Sequence, residues 1–396
     1  MHVLFSESFT GPLSAAAAAA GLAVAAMCVT IGPAAADIGR ASCHTIQIPV
    51  TIPGIPTPGQ ITGDYCVPPF SNGTVLLAAG GGAENASYWN MPGLDSYSLV
   101  DAAAEARYAT LAIDRLGTGR SSIPSSSSLV TYQAIVSTTH QVAVALHRGQ
   151  AGIDRQWNSV VGVGHSLGSG TIAGVAAADP EDFNTIVLTG YGPAVSPETA
   201  QLNALYQVAA STIFPQYADL DSGYATVIPK DIGLAGSFYL PDTSPEALAA
   251  QGKYEGLLSK TELSTRPQGS AAETQGALIK IPAFVVDGQQ DRHYCEDNAI
   301  DAPASIGANC ATQQAFNAYE QPLLPNACLS TNVVPNSGHA LQLEENAAAT
   351  NRLMLSWLQV TLGRNRSSTD PVGPSTAAGG SNLHCAVSGP FSGSSQ

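Results

Sequence analysis

The residues best suited to chemistry form the run Gly164-His165-Ser166-Leu167-Gly168, which closes an apolar stretch from Ser159 to Val163 and opens a helix-like stretch, Ser169 to Ala178, ended by Asp179-Pro180. A serine on a sharp strand-to-helix turn sits in strained backbone geometry. The positions two residues away on either side must then be small, and both are glycine. Such a turn lifts the hydroxyl above the carboxyl edge of a sheet, and the Leu167 amide, at the helix start, can face a developing oxyanion. A serine hydroxyl is a poor nucleophile until an imidazole takes its proton; a carboxylate then fixes the imidazole tautomer and stabilises the imidazolium. The chemistry open to Ser166 is therefore acyl transfer, provided the chain supplies a histidine and an acid.

The elements that must position these groups are legible as apolar runs. Thr74 to Ala79 ends in Gly80-Gly81-Gly82, Tyr108 to Ile113 ends in Asp114, and Ser159 to Val163 ends in Gly164. Uninterrupted apolar runs separated by helix-length spacers predict buried parallel strands joined by crossovers. Phe183 to Leu188, Ile281 to Val286 and Ser330 to Val334 continue the series. Ahead of them, Ser42 to Phe70 is β-rich but broken by Pro49, Pro53, Pro56 and Pro58, which suits an edge hairpin. From Tyr191 to about Leu278 the strand rhythm stops. Ala- and Leu-rich stretches broken by Pro215, Pro229, Pro241 and Pro245 take over and predict an inserted, mainly helical lid. Glu344 to Leu362 reads as a closing helix, with Leu353, Trp357, Leu358 and Leu362 on its apolar face and Gly363 as its stop. The expected fold class is α/β: a mostly parallel central sheet flanked by helices, in a domain spanning 37–364. A flexible Ser-, Gly- and Pro-rich tail over 365–396 follows, with Cys385 as its one anchor point.

This pattern resembles the α/β-hydrolase superfamily, of the serine esterase and lipase type, from Thr74 to Leu362. In that family the order along the chain is nucleophile, acid, histidine. The resemblance implies Asp291 as the acid, because Gly288-Gln289-Gln290-Asp291 past a strand is similar to the family's Gly-x-x-Asp, and His339, in Asn336-Ser337-Gly338-His339, as the base. Asp287, at the strand end, competes for the acid role. His293 is expected to be a satisfied or exposed loop residue, and His165 a structural one that points away from the nucleophile. The family's second oxyanion donor follows the first core strand, which implies Gly81, with Gly82 behind it. Ala79 stands where the family usually has a histidine, and a flexible glycine turn is the competing reading of this loop. Asp114-Arg115-Leu116-Gly117-Thr118-Gly119-Arg120-Ser121 resembles the family's turn after the fourth strand, a structural segment shared with epoxide hydrolases and haloalkane dehalogenases. Those enzymes carry an aspartate at the elbow, so Ser166 excludes their chemistry.

A formal net charge of -15, with 11% charged residues and no Lys or Arg cluster, excludes a nucleic-acid binder, which needs basic groups to displace counterions from phosphates. Neutral or apolar small molecules are the favoured substrates. No cofactor or metal is expected, since no cysteine pair has metal-site spacing. Residues 1–33 contain no Lys or Arg, Leu13 to Ile31 is dominated by apolar residues, and Ala34-Ala35-Ala36 has the small-residue pattern of a cleavage site. A signal peptide over 1–36 is expected, with an uncleaved anchor as the alternative. Its removal takes Cys28 and leaves Cys43, Cys66, Cys295, Cys310, Cys328 and Cys385, an even set that predicts disulfides in an oxidising compartment. Cys43 with Cys66 is the local pair, and the other pairings stay open. Asn72, Asn85 and Asn365 begin tripeptides that can accept N-linked glycans. The combined expectation is a secreted serine hydrolase that cleaves a lipophilic carboxylic ester, with no stable membrane insertion once the leader is gone. Amides, peptides and lactones yield to the same triad, and a lyase or biosynthetic step on the same fold is the non-hydrolytic alternative.

Overall fold

Runs of apolar residues without alternation need cover on both faces, and the computed structural model gives it to them. It describes residues 41–192, 207–227, 238–254, 256–267, 270–295, 308–365 and 389–390. The leader 1–36, Cys28 and Cys385 lie outside these. The strands in chain order are β1 (Ser42–Val50), β2 (Gly59–Val67), β3 (Thr74–Ala79), β4 (Ala109–Ile113), β5 (Ser159–His165), β6 (Thr185–Thr189), β7 (Gln207–Ala209), β8 (Tyr224–Val227), β9 (Leu258–Ser259), β10 (Ala283–Gly288), β11 (Leu329–Val334) and β12 (Gly389–Pro390). Nine of them form one sheet, in the order β1-β2-β4-β3-β5-β6-β10-β11-β12. The pairs β1–β2 and β2–β4 are antiparallel and the rest run parallel.

Alternate strand residues enter opposite cores. Val75 and Leu77 face a layer built with Ile135, Val142 and Leu146 of α2 (Tyr132–Arg148) and Ile172 and Val175 of α3 (Leu167–Ala178). Leu76 and Ala78 face the other layer, with Leu99 and Val100 of α1 (Leu99–Glu105) and Met354, Trp357 and Leu358 of the closing helix, Ala347–Asn365. Between those flanking helices lie, in chain order, α4 (Pro245–Tyr254), α5 (Lys260–Thr265), α6 (Ser270–Gly276) and α7 (Gln313–Glu320), which makes the closing helix α8. Thr131 caps α2 by accepting the Ala134 N–H, and Gly149 ends it at φ +61°, as the left-handed cap requires. Chain order reverses direction across the sheet at β3, with β4 on one side and β5 on the other, and such a switch point opens a crevice at the carboxyl ends of the strands.

Three details differ from the sequence reading. The described part of the 191–278 insertion holds helices α4, α5 and α6 and also a small antiparallel sheet, β7-β8-β9; strands of two to four residues are too short to leave a period in the sequence. Gly363 does not stop α8, which runs on to Asn365; a side chain at 363 would meet nothing, so nothing there demands a turn. Within the expected flexible tail, Gly389–Pro390 adds a parallel strand outside β11, at the sheet edge where proline is tolerated. Among the described residues no helix is long and apolar enough to cross a membrane.

The Cys43–Cys66 disulfide is present, between residues directly opposite each other in the β1–β2 hairpin. Cys295–Cys310 is a second, and Cys328 is also disulfide-bonded. Asn85 Nδ2 donates to the Tyr254 carbonyl at 2.7 Å and its Oδ1 accepts the Ser87 N–H. Asn72 sits half-buried in the turn before β3, its Oδ1 accepting the Thr74 N–H, and Asn365 is the last residue of α8. Replacing Cys43 and Cys66 together by serine should lower unfolding stability by up to about 3 kcal/mol, the chain entropy of a loop of this length. Denaturant titration under identical buffer checks this, and an unchanged midpoint would show that the hairpin frays independently of the domain.

Candidate active site

Ser166 stands between β5 and α3 at φ 51°, ψ -119°, a conformation that side-chain-bearing residues rarely adopt. Its own N–H donates to the Thr189 carbonyl of β6, and its carbonyl accepts the Gly170 N–H. The turn is tight enough to exclude side chains at both flanking glycines. A Cβ on Gly168 would lie 2.1 Å from the Ala79 carbonyl oxygen, and one on Gly164 would lie 2.4 Å from the Ser169 Cα. Ser166 heads α3 without spending its hydroxyl as a cap, and among the described residues that hydroxyl has no hydrogen-bond partner. Nucleophile–base hydrogen bonds are often long before substrate arrives.

Asp291 lies in the turn after β10 and His339 in the loop after β11, and the two are joined: Nδ1 of His339 meets Oδ2 of Asp291 at 2.7 Å. Asp291 is buried, and its other oxygen accepts the N–H groups of His293 at 2.6 Å and Tyr294 at 3.3 Å, so the loop's own backbone orients it. Burial works to raise its pKa, but the charge and hydrogen bond of His339, with a hydrogen bond from Asp287, outweigh it and hold Asp291 below the usual carboxylate range. Asp287 goes the other way. Burial, then the charge of Asp291, push its carboxyl well above the ordinary value, which keeps it neutral. With Nδ1 turned to the carboxylate, the His339 tautomer that leaves Nε2 as the proton acceptor is the one the pair favours.

Two other histidines pack against His339. The His293 ring stacks on it with centroids 4.2 Å apart, and the His165 ring lies 4.7 Å from it. His293 lies half-buried in its turn, packed on His339, and His165 is a buried residue beside the same ring. His165 is fully buried, donor or acceptor to Thr189 Oγ1 at 3.2 Å, and stacked on Tyr88. Burial, then the proximity of His339, pushes the pKa of His293 down to about 3 and that of His165 well below its ordinary value. Both rings are therefore neutral neighbours of His339.

The loop after β3 lies against the elbow. A Cβ on Gly81 would be 2.9 Å from Ser166 Cβ, and one on Gly82 would be 3.0 Å from Leu167 Cδ1. The Gly81 N–H, the first expectation for the second oxyanion donor, donates to Glu84 Oε2 at 2.6 Å. That leaves Gly82 beside Leu167, whose amide, at the first position of α3, has no partner within the helix.

Sequence reasoning missed three supporting residues. Gly190 ends β6 at φ +52°, and a Cβ there would meet both His165 Cε1 at 2.8 Å and His339 Cε1 at 2.9 Å, so only glycine leaves room for the ring. Glu344 accepts the Gly338 N–H at 2.9 Å and the Tyr239 N–H at 2.8 Å, tying the His339 loop to the insertion. Asp114 anchors its turn as the sequence implied, through the N–H groups of Ala86 and Arg120. Glu84 is the third; no spacing rule marks a glutamate three residues beyond a glycine.

A model of the alpha/beta hydrolase family matches residues 75–353. The chain belongs to the α/β-hydrolase family, and its mostly parallel sheet agrees with that. No curated protein matches the sequence. Among solved structures it is similar to a thermophilic esterase from Thermogutta terrifontis, at 13% identity and a TM-score of 0.52 over 79% of this chain and 98% of that one. It is similar as well to the carboxylesterase CesB from Bacillus subtilis, at 17% identity and a TM-score of 0.52 over 80% and 92%. A third is the peroxisomal α/β-hydrolase Lpx1 from Saccharomyces cerevisiae, at 14% identity and a TM-score of 0.51 over 87% and 94%. At these identities the likeness is one of fold.

The two aspartates make opposite predictions. Asp291→Asn should lower kcat about 10⁴-fold by disturbing the His339 tautomer. Asp287→Asn, an exchange of one neutral group for another, should leave kcat within about tenfold. Steady-state kinetics on both variants decides, and the reverse order would exchange the two assignments.

Proposed function

We propose that the protein hydrolyses carboxylic esters through an acyl-enzyme on Ser166, with His339 as base and Asp291 as its orienting acid. The observation that carries this reading is the 2.7 Å His339–Asp291 pair, its imidazole 4.7 Å from the ring of His165, which precedes a serine held at φ 51°. Ser166 Oγ attacks the ester carbonyl carbon and its proton passes to His339 Nε2. The resulting oxyanion takes the Leu167 N–H and a glycine N–H from the loop after β3. Collapse breaks the bond to the alcohol oxygen, which leaves with the proton from His339. Water then enters, gives a proton to His339 and attacks the acyl carbon. Return of that proton to Ser166 Oγ frees the carboxylic acid and restores the site.

The esterases among the structural neighbours make ester cleavage the natural reading of this machinery. The 191–278 segment serves as the lid that shapes the acyl or alcohol pocket, and its apolar composition fits a lipophilic group. Disulfides at Cys43–Cys66 and Cys295–Cys310 fit a secreted enzyme, whose signal peptide is 1–36.

A panel of p-nitrophenyl esters of graded chain length, with lactones and aminoacyl amides alongside, should show ester turnover rising with acyl length. Ser166→Ala should abolish it, by about 10⁴-fold or more, with the melting temperature preserved. Turnover retained in Ser166→Ala would remove the nucleophile assignment, and a preference for amides would move the substrate class.

A further inference from the structure

Arg115 sits immediately after β4, at the turn that begins with Asp114, yet its side chain is only 3% exposed. All three of its guanidinium nitrogens are engaged. Nε donates to the Gly80 carbonyl at 2.8 Å, Nη2 donates to the Gly81 carbonyl at 2.8 Å, and Nη1 donates to Oε1 of Glu262, itself equally buried on α5 of the inserted segment. In a trans peptide the carbonyl and the next residue's N–H point in opposite directions. Gripping the carbonyls of Gly80 and Gly81 therefore fixes the direction of the Gly81 and Gly82 N–H groups. The first of these ends on Glu84 Oε2. The second belongs to the residue packed against Leu167, and among the described residues it has no partner.

The insertion reinforces the same loop elsewhere. Gly256 N–H donates to the Ala83 carbonyl, Ala83 is held at φ +59°, and Leu258 and Ala225 of the small sheet pack on its methyl. Ser259 Oγ caps α5 by accepting the Glu262 N–H and donates in turn to the Ser127 carbonyl, so the glutamate is presented from an anchored helix start. A buried Arg–Glu pair is expensive to desolvate and is a poor source of stability by itself. Here its planar fork is spent on two successive backbone carbonyls, a geometry that a lysine ammonium cannot span.

We propose that Arg115, held by Glu262 of the insertion, is a positioning residue that aims the Gly82 N–H at the oxyanion beside the Leu167 N–H. This rests on the reading of Ser166 as nucleophile. The insertion thereby contributes to the rate of the chemical step as well as covering the site, because the oxyanion loop owes its orientation to a residue from each part of the chain.

The test uses the full-length protein, p-nitrophenyl acetate as substrate, phenylboronic acid as a tetrahedral-adduct inhibitor, and a fluorophosphonate to titrate active sites so that misfolded protein is not counted. Glu262→Gln keeps an acceptor but removes the charge, and should lower kcat per titrated site about tenfold. Arg115→Lys should lower it about 10²-fold, the size of losing an aligned oxyanion donor. In both, inhibition by the boronate should weaken by the same factor as kcat, with KM within about twofold of the parent, a split that a general loss of packing would not give. Should Arg115→Lys fail to fold, Glu262→Gln decides by itself. Values of kcat and boronate inhibition within about twofold of the parent, in variants that still label, would overturn the positioning role alone. Failure of the unaltered protein to label at Ser166 would overturn the nucleophile reading and this proposal with it.

Discussion

Holding Ser166 at φ 51° costs an L-residue roughly 1–3 kcal/mol, and backbone bonds on both sides hold the turn there. The bond from its N–H to the Thr189 carbonyl ties it to β6. The close approach of Gly168 to the Ala79 carbonyl ties the start of α3 to β3. Thr189 does more than accept: its hydroxyl donates to the Gly164 carbonyl and meets His165 Nδ1, so one β6 side chain supports the strand before Ser166 and the ring beside it. The elbow is thus a joint among β3, β5 and β6, and β10 and β11 extend the sheet in parallel beyond β6.

Electrostatics in the site follow from crowding. His339 is flanked by His165 and His293, and three imidazoles at 4.2–4.7 Å centroid spacing could not all carry charge. Burial resolves the conflict by keeping the outer two neutral. The same logic separates the two aspartates: with Asp291 ionised against His339, its buried neighbour Asp287 retains its proton. In the proposed mechanism the ionised Asp291 stabilises the imidazolium formed when Ser166 gives up its proton.

Much of this was legible in the sequence wherever local chemistry dictates residue type. The core strands appear as unbroken apolar runs because both faces are buried. The elbow appears as glycines at 164 and 168 because backbone atoms fill the space of a side chain. The hairpin cysteines were legible because they bracket one antiparallel excursion. Contacts between distant segments were not legible. Nothing local distinguishes Glu84 or Glu344 from surface glutamates, and the Arg115–Glu262 pair joins positions that only the docking of the insertion brings together. The stacking of His293 on His339 shares this cause, since it depends on where the β11 loop lays His339. The two-residue strand β12 and the small sheet of the insertion were lost for a simpler reason, being shorter than any periodicity.

The central claim is that a covalent acyl group passes through Ser166. Its most direct test is acid-quenched mass spectrometry of the protein mixed with an ester whose acyl-enzyme hydrolyses slowly, followed by peptide mapping. The account predicts a mass increase equal to the acyl group, on the peptide containing Ser166, that decays as free acid appears. Steady turnover with no adduct, or an adduct on any other residue, would contradict it.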